Sequence, residues 1–174
     1  MQNNQRFPLS VRILHWAMAA IVISMILGGL TMVRSLEPWQ LTLLSGHKAF
    51  GFVAFILVLV RIAVRLTSQL PALPSSLPRW QQRAAIGSHY VLYGLILAMP
   101  VSGYLMQYVA ARPVNVFGLF TLPSALTADI QTYGLLREMH GYLALAFIAI
   151  IVLHVSAALH HHVVRKDTVL KSML

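Results

Sequence analysis

The chain has 174 residues, of which 58% are apolar and 10% are charged, so too little polar surface is available to coat a water-soluble domain and a membrane protein is predicted. The sequence contains no cysteine, which excludes disulfides, iron–sulfur clusters, thiolate metal sites, covalent c-type haem attachment and cysteine nucleophiles. The formal net charge of +9 would suggest nucleic acid in a soluble protein, but in a membrane protein basic residues flank the helices and set their orientation.

Four charge-poor segments predict four membrane-spanning helices. The first lies between Arg12 and Arg34, whose 21 intervening residues are enough to cross a hydrocarbon layer of about 30 Å. The second ends near Arg61, the third follows Arg83 and the fourth follows Glu138. We therefore expect an all-α fold, an integral membrane four-helix bundle that forms one domain over residues 1–174. The predicted spans are approximately 11–33, 41–66, 84–108 and 139–163.

Two longer connections separate these spans. Pro71, Pro74 and Pro78 lie between the second and third spans, in a segment that cannot continue a helix. The stretch 111–136 mixes proline, glycine and aromatic residues. We expect it to be a loop that lies along the membrane interface as an apolar cover.

The basic residues divide unequally between the two sides of the predicted bundle. When alternate helix ends are assigned to opposite sides, one side receives nine basic residues and one acidic residue, a net +8. The other side receives four basic and three acidic residues, a net +1. By the positive-inside rule, both termini are expected to face the cytoplasm.

Five histidines fall inside the spans or at their edges, and their number indicates a function. They are His15, His47, His89, His140 and His154. Placing a polar ring in hydrocarbon costs free energy unless the ring has a partner. An ionisable residue at membrane depth is therefore a candidate functional residue by default. The alternative for any single one is a neutral histidine bonded to a backbone carbonyl or a serine.

The spacing of two of these histidines indicates two sites. His140 and His154 lie 14 residues apart, which at about 100° per residue places both on one helix face, roughly 21 Å apart along the axis. One metal ion cannot contact both, whereas two haems stacked across a bilayer could each take one. His47 matches His140 at the outer level, while His15 and His89 are both candidate partners for His154, and periodicity does not choose between them. Iron with both axial positions filled favours electron transfer over oxygen chemistry.

Further residues are candidates for roles around these sites. Arg61 follows His47 by 14 residues and is a candidate partner for an inner haem propionate, with a plain topology charge as the alternative. His161 follows His154 by seven residues and lies on the same face, closer to the cytoplasm. There it could exchange the protons that accompany quinone chemistry, assisted by Arg79, and an interfacial cluster meeting lipid headgroups is the alternative.

Glycines near the candidate ligands suggest close approach of a flat macrocycle to the backbone. A residue without a side chain lets another group come near the main chain, although ordinary packing of small residues between helices is the alternative. The glycines concerned are Gly46, Gly51, Gly87 and Gly141.

The residues around the histidines resemble the bacterial cytochrome b561 family of small di-haem membrane proteins, and the resemblance covers nearly the whole chain. Arg61 and Arg65 accompany the matching motif Gly46-His47-Lys48 of the second span. The ending of the chain is the most specific match. The motifs are Ile13-Leu14-His15-Trp16, Gly46-His47-Lys48, His140-Gly141, Leu153-His154 and Ala157-Ala158-Leu159-His160-His161-His162 with Arg165-Lys166-Asp167.

The resemblance implies two haems b, each an iron protoporphyrin IX held by two axial histidines. His15 and His154 would ligate the cytoplasmic-side haem, and His47 and His140 the periplasmic-side haem. His89 would then lie beside the inner haem or a quinone. Family members pass electrons between the membrane quinone pool and a partner across the membrane, and some oxidise superoxide while they reduce ubiquinone. The resemblance thus implies a multi-pass, quinone-linked oxidoreductase of the bacterial inner membrane.

Superoxide is an anion, so a basic mouth is expected above the outer haem. Glu37, Asp129 and Glu138 oppose that field, and a periplasmic cytochrome and a direct quinol donor are alternative partners. The residues that could attract superoxide are Arg34, Lys48, Arg112 and Arg137.

Two other functions are considered. One is a haem-bearing membrane anchor subunit of a larger redox enzyme. The other is a histidine-lined metal or proton transporter, although the predicted spans contain none of the Asp or Glu residues that such a path usually uses.

Overall fold

The computed structural model describes residues 6–32, 37–69 and 78–174. Arg34, Pro71 and Pro74 lie outside these described residues. Four long helices make up most of the described chain, and a π-helical turn and a short 3₁₀ turn follow the last of them. The helices are α1 (Leu9–Met32), α2 (Trp39–Thr67), α3 (Arg79–Val109) and α4 (Ile130–His160), the π-helical turn is His161–Arg165 and the 3₁₀ turn is Lys171–Met173.

Each of the four helices is long and apolar enough to cross a membrane. Their outward-facing side chains include Leu27, Leu41 and Leu145, which are all well exposed. In water such surfaces would oppose solubility, but lipid tails are as apolar as leucine, so the same surfaces suit a bilayer. The prediction of a helical protein with four spans is confirmed for the described residues.

A β-hairpin forms at the start of the stretch 111–136, where the sequence predicted a loop. Strand β1 (Val114–Val116) pairs antiparallel with strand β2 (Phe120–Leu122). In the turn between them, Phe117 and Gly118 take positive φ angles of 53° and 77°, and the Asn115 side chain accepts a hydrogen bond from the Gly118 N–H at 2.6 Å. The hairpin satisfies backbone polar groups that an irregular apolar loop would leave unpaired.

The hairpin packs against the first half of α2. The Phe117 ring lies 5.1 Å from the ring of Phe50, and the Phe120 ring lies 5.5 Å from that of Phe52. In addition, the Tyr104 hydroxyl donates to the Pro123 carbonyl at 3.0 Å. We call this end of the bundle, where the hairpin covers the start of α2 and the end of α3, the hairpin end.

The start of α4 also differs from the sequence prediction, because the helix begins at Ile130 and not near residue 139. The Asp129 carboxylate accepts hydrogen bonds from the hydroxyl and the backbone N–H of Thr132, at 2.6 and 3.0 Å, and so caps the helix. These bonds hold the pKa of the Asp129 carboxyl below its ordinary value. Hydropathy missed the first turns because Arg137 and Glu138 interrupt the apolar run.

The two ends of the chain meet at the opposite end of the bundle, which we call the terminal end. The Phe7 N–H donates to the Ser172 carbonyl at 3.0 Å, and the Trp16 indole N–H donates to the Met173 carbonyl at 2.9 Å. Phe7 and the residues Ser172 and Met173 therefore lie on the same side of the bundle, as an even number of spans requires.

The turn after α4 is held by a small charged cluster. Asp167 Oδ2 lies 2.5 Å from His161 Nδ1 and 3.7 Å from Arg165 Nε, while Lys166 takes a left-handed φ of 54°. Partial burial opposes ionisation of Asp167, but the hydrogen bonds from His161 and from the Val169 N–H outweigh it and lower the pKa of the carboxyl. The carboxylate therefore stabilises the folded turn.

Asp167→Asn is expected to lower the thermal midpoint Tm by about 1–3 °C at neutral pH, a small effect because solvent screens a partly exposed pair. A carboxyl whose pKa is lowered by folding contributes stability above its unfolded pKa, and the contribution is lost as the pH falls through the folded pKa. The Tm difference between the wild type and the variant should therefore shrink below about pH 4. Thermal unfolding in detergent checks this, with the exposed Lys171→Gln as control, and a pH-independent difference contradicts it.

The buried core lies in the middle of the bundle. Val58 of α2 has no exposed surface and packs with Met18 and Val22 of α1 and Phe147 of α4. Phe147 stands seven residues from both His140 and His154 along α4. The apolar core thus separates the two levels at which the membrane histidines lie.

Candidate functional site

The five membrane histidines form two groups, one near each end of the bundle. His15 of α1, His89 of α3 and His154 of α4 lie toward the terminal end, and His47 of α2 and His140 of α4 lie toward the hairpin end. All five are half-buried. The placement of His140 and His154 at different depths on α4 agrees with their spacing in the sequence.

In the terminal-end group, His154 lies between two other imidazoles. Its ring centre is 6.3 Å from that of His15 and 5.9 Å from that of His89. In each pair the two ring planes are steeply inclined, at 64° and 67°. The two distances are nearly equal. The structure therefore brings together all three residues that the sequence named for this level, and the distances do not distinguish His15 from His89.

Two arginines surround this group on the α2 side. Arg61 Nη2 lies 3.0 Å from His15 Nδ1, and Arg61 Nη1 donates to the Val11 carbonyl at 3.5 Å. The guanidinium carbons of Arg61 and Arg65 lie 5.9 and 5.5 Å from the centre of the Tyr93 ring. The Tyr93 hydroxyl oxygen is buried and has no hydrogen-bond partner among the described residues. This end of the bundle thus holds two cations and an unsatisfied hydroxyl beside three imidazoles.

At the hairpin end, His47 of α2 and His140 of α4 lie at the same level of the bundle. His140 Nδ1 is 2.9 Å from the hydroxyl oxygen of Ser102, whose hydroxyl also lies 3.0 Å from the Met99 carbonyl. His47 Nδ1 is buried and has no hydrogen-bond partner among the described residues. The two imidazoles therefore differ, because one has a hydroxyl beside its Nδ1 and the other does not.

Two glycines give these rings room. A Cβ added at Gly103 would lie 3.3 Å from His140 Cε1, and one added at Gly29 would lie 3.5 Å from His47 Cε1. At the glycines that the sequence singled out, an added Cβ meets no protein atom within 4 Å at Gly46, Gly87 and Gly141, and at Gly51 it meets Met25 at 3.7 Å. The glycines that approach the histidines most closely are therefore ones that the sequence did not indicate.

The basic residues predicted for the outer mouth occupy different settings. Lys48 is half-buried, and its Nζ lies 3.4 Å from Oε1 of the buried Gln107. Arg112 lies close enough to interact with the Lys48 charge, and its guanidinium carbon is 5.8 Å from the Tyr133 ring centre. Arg137 is exposed on the first turns of α4. Lys48 and Arg112 thus lie near each other, and Arg137 lies at the same end of the bundle.

The residues predicted for a quinone site lie at the terminal end. His161 is bound to Asp167, and the neighbouring Arg165 donates to Gln81 Oε1 at 3.0 Å, which joins the turn after α4 to the start of α3. Arg79 is exposed at the first residue of α3. Sequence reasoning missed the role of Asp167 as the partner of His161, although the two lie only six residues apart.

Comparisons with known proteins identify the family of this chain. Residues 6–174 match the family described as prokaryotic cytochrome b561. Cytochrome b561 homolog 2 of Escherichia coli (strain K12) is 32% identical over 173 residues, which cover 98% of this chain and 92% of that protein. A probable superoxide oxidase CybB of Yersinia pestis is 32% identical over 166 residues, 92% of this chain and 91% of the relative. This chain belongs to the prokaryotic cytochrome b561 family and is a multi-pass bacterial membrane protein that binds b-type haem and transfers electrons.

Proposed function

We propose that this protein transfers single electrons across the bacterial inner membrane, from superoxide on the periplasmic side to ubiquinone on the cytoplasmic side, by means of two haems b. The observation that carries the proposal is the division of five histidines into two groups on opposite sides of the apolar core. Each group draws imidazoles from different helices, as an iron bound on both faces of a haem requires. When bound, haem supplies one-electron redox chemistry.

At the hairpin end, we assign His47 and His140 as the axial ligands. The Ser102 hydroxyl beside His140 Nδ1 occupies that nitrogen and leaves Nε2 for a metal. A buried imidazole nitrogen without a hydrogen bond, as in His47, is costly in a residue that only stabilises packing. The nearby Gly103 leaves space beside the His140 ring that a larger residue would fill. The donor set at this level therefore fits haem b.

At the terminal end, we assign His15 and His154 as ligands and place His89 beside the haem. Two imidazoles on opposite faces of one metal have ring centres roughly 6 Å apart, if the metal–nitrogen bonds are about 2 Å as in zinc sites. The observed 6.3 Å between His15 and His154 fits that requirement, and so does the 5.9 Å between His89 and His154. The resemblance of the segment 13–16 to the first-helix motif of the family supports the choice of His15 over His89.

The charges at the terminal end also fit a haem, because haem carries two propionates. Arg61 and Arg65 flank the Tyr93 ring, and partly buried cations require an anionic partner. Of the four acidic residues, Asp167 pairs with His161 and Arg165. The other three lie toward the hairpin end of the bundle and are Glu37, Asp129 and Glu138. We propose that Arg61 and Arg65 bind a propionate, with the buried Tyr93 hydroxyl as a further donor.

We place the terminal end in the cytoplasm, because nine basic residues against one acidic residue fall on that side. Reduction of a quinone to a quinol consumes two electrons and two protons. His161 can deliver protons there, and Asp167 orients its imidazole by accepting from Nδ1. Arg79, exposed at the start of α3, would assist by attracting the quinone oxygen.

We place superoxide at the hairpin end, where Lys48, Arg112 and Arg137 supply positive charge. The relative from Yersinia pestis that is named a probable superoxide oxidase supports this choice of donor. Two superoxide ions give up one electron each and become oxygen. Those two electrons, with two protons from the cytoplasmic side, convert one ubiquinone into ubiquinol, so atoms and charges balance.

Reconstitution tests the proposed function. The purified protein is placed in liposomes that contain ubiquinone, and xanthine oxidase supplies superoxide outside. Ubiquinol is expected to form at a rate that depends on the protein and that superoxide dismutase suppresses. If the haem iron stays oxidised under superoxide but is reduced by a quinol or by a soluble cytochrome, superoxide is the wrong donor.

A further inference from the structure

Ser102 is buried beside His140 although a serine is polar and its helix crosses the membrane. Its side chain belongs to α3 and is 2% exposed, and its hydroxyl oxygen lies 2.9 Å from His140 Nδ1 and 3.0 Å from the Met99 carbonyl oxygen. A hydroxyl has one proton to donate and two lone pairs that can accept. The direction of the two hydrogen bonds is therefore fixed by what each partner can do.

The Met99 carbonyl oxygen can only accept, so the Ser102 hydroxyl donates its proton to that carbonyl. The same oxygen then has a lone pair for His140 and no second proton to give. It follows that His140 carries its proton on Nδ1 and donates it to Ser102. A neutral imidazole has one proton on its two nitrogens, so the lone pair of His140 lies on Nε2.

Two other candidate ligands, His47 and His15, lack this arrangement among the described residues. His47 Nδ1 is buried without a hydrogen bond, and His15 Nδ1 faces Arg61, which can only donate. A hydrogen-bond acceptor on the remote nitrogen of a metal-bound imidazole fixes the ring and raises its basicity. A more basic ligand stabilises the ferric form of the iron relative to the ferrous form.

We propose that Ser102 is a positioning residue that holds His140 with Nδ1 protonated and so lowers the reduction potential of the haem at the hairpin end. The proposal rests on the proposed function through the assignment of His140 as a ligand. Removing the hydroxyl leaves His140 Nδ1–H without its acceptor, and loss of such outer partners typically costs about 10–100-fold in metal affinity or activity. At a fixed ambient potential, the ferric-to-ferrous ratio of that haem should therefore fall about tenfold in Ser102→Ala.

Three variants of the full-length, haem-loaded protein test the proposal by redox titration and by haem content. Ser102→Ala is expected to retain its haems and to shift the potential of one of them upward, while the other is unchanged. Ser102→Thr keeps a hydroxyl and should restore the wild-type potential. Ser88→Ala is the matched control, because it removes a serine bond to the Ala85 carbonyl on the same helix without contact to His140.

Each outcome either supports or overturns the proposal. Unchanged potentials in Ser102→Ala overturn it, and so does Ser102→Thr if it behaves like the alanine variant, because then packing and not the hydroxyl matters. If Ser102→Ala loses the haem, recovery of both the haem and its potential in Ser102→Thr still supports the role of the hydroxyl. The proposed function is tested separately by His140→Ala: retention of both haems there overturns the ligand assignment, whatever Ser102 does.

Discussion

His47→Ala and His140→Ala are each expected to reduce the haem content from two per chain to one. Each variant removes one of the two imidazoles that we propose to hold iron at the hairpin end, so both should lose the same haem. The double variant should lose no more than either single variant. The haem-to-protein ratio of purified variants measures this directly.

The exposed His162→Ala is the control for that experiment, since its side chain lies beyond the end of α4 and belongs to neither group. It should keep both haems. Two haems in either single variant would contradict the pairing of His47 with His140. A double variant with no haem, when each single variant keeps one, would show that the two residues serve different haems.

His154→Ala is expected to lose the other haem, the one at the terminal end. His154 is the shared neighbour of two imidazoles, at 6.3 Å from His15 and 5.9 Å from His89, so its removal eliminates either pairing. His15→Ala should also lose that haem, whereas His89→Ala should keep two. Haem content and the low-spin signals in electron paramagnetic resonance measure the outcome.

One contact makes the comparison of His15 with His89 especially informative. Arg61 donates to His15 Nδ1, but a neutral imidazole that binds iron through Nε2 carries its proton on Nδ1. Arg61 must therefore turn away from His15 when that residue binds iron, which frees its guanidinium for a propionate. The opposite result, with the haem lost in His89→Ala and kept in His15→Ala, would make His89 the ligand and leave the contact between Arg61 and His15 intact.

The helices and the depths of the histidines could be predicted from the sequence because both follow from local rules. Uncharged runs of sufficient length predict spans, and a rise of about 1.5 Å per residue converts the spacing of His140 and His154 into two levels. The capping of α4 by Asp129 and the β-hairpin were missed, because hydropathy does not report side-chain hydrogen bonds or turn geometry.

The surroundings of the proposed ligands could not be predicted, because they depend on how neighbouring helices are rotated. Periodicity fixes the face of one helix but not which residue of another helix meets it. Ser102 contacts His140 and Gly103 lies beside it, both from α3 and 38 and 37 positions earlier in the chain. The same freedom left the choice between His15 and His89 open, and in the folded chain their ring centres lie 6.3 and 5.9 Å from that of His154.

The central claim is that each chain holds two haems, each between two imidazoles. Haem quantification of the purified wild-type protein, together with the reduced-minus-oxidised visible spectrum and electron paramagnetic resonance, tests it most directly. We predict two haems b per chain, both low-spin, with two distinct ferric signals and no reaction of the ferrous form with carbon monoxide. A single haem per chain, or a high-spin iron that binds carbon monoxide, would contradict the account.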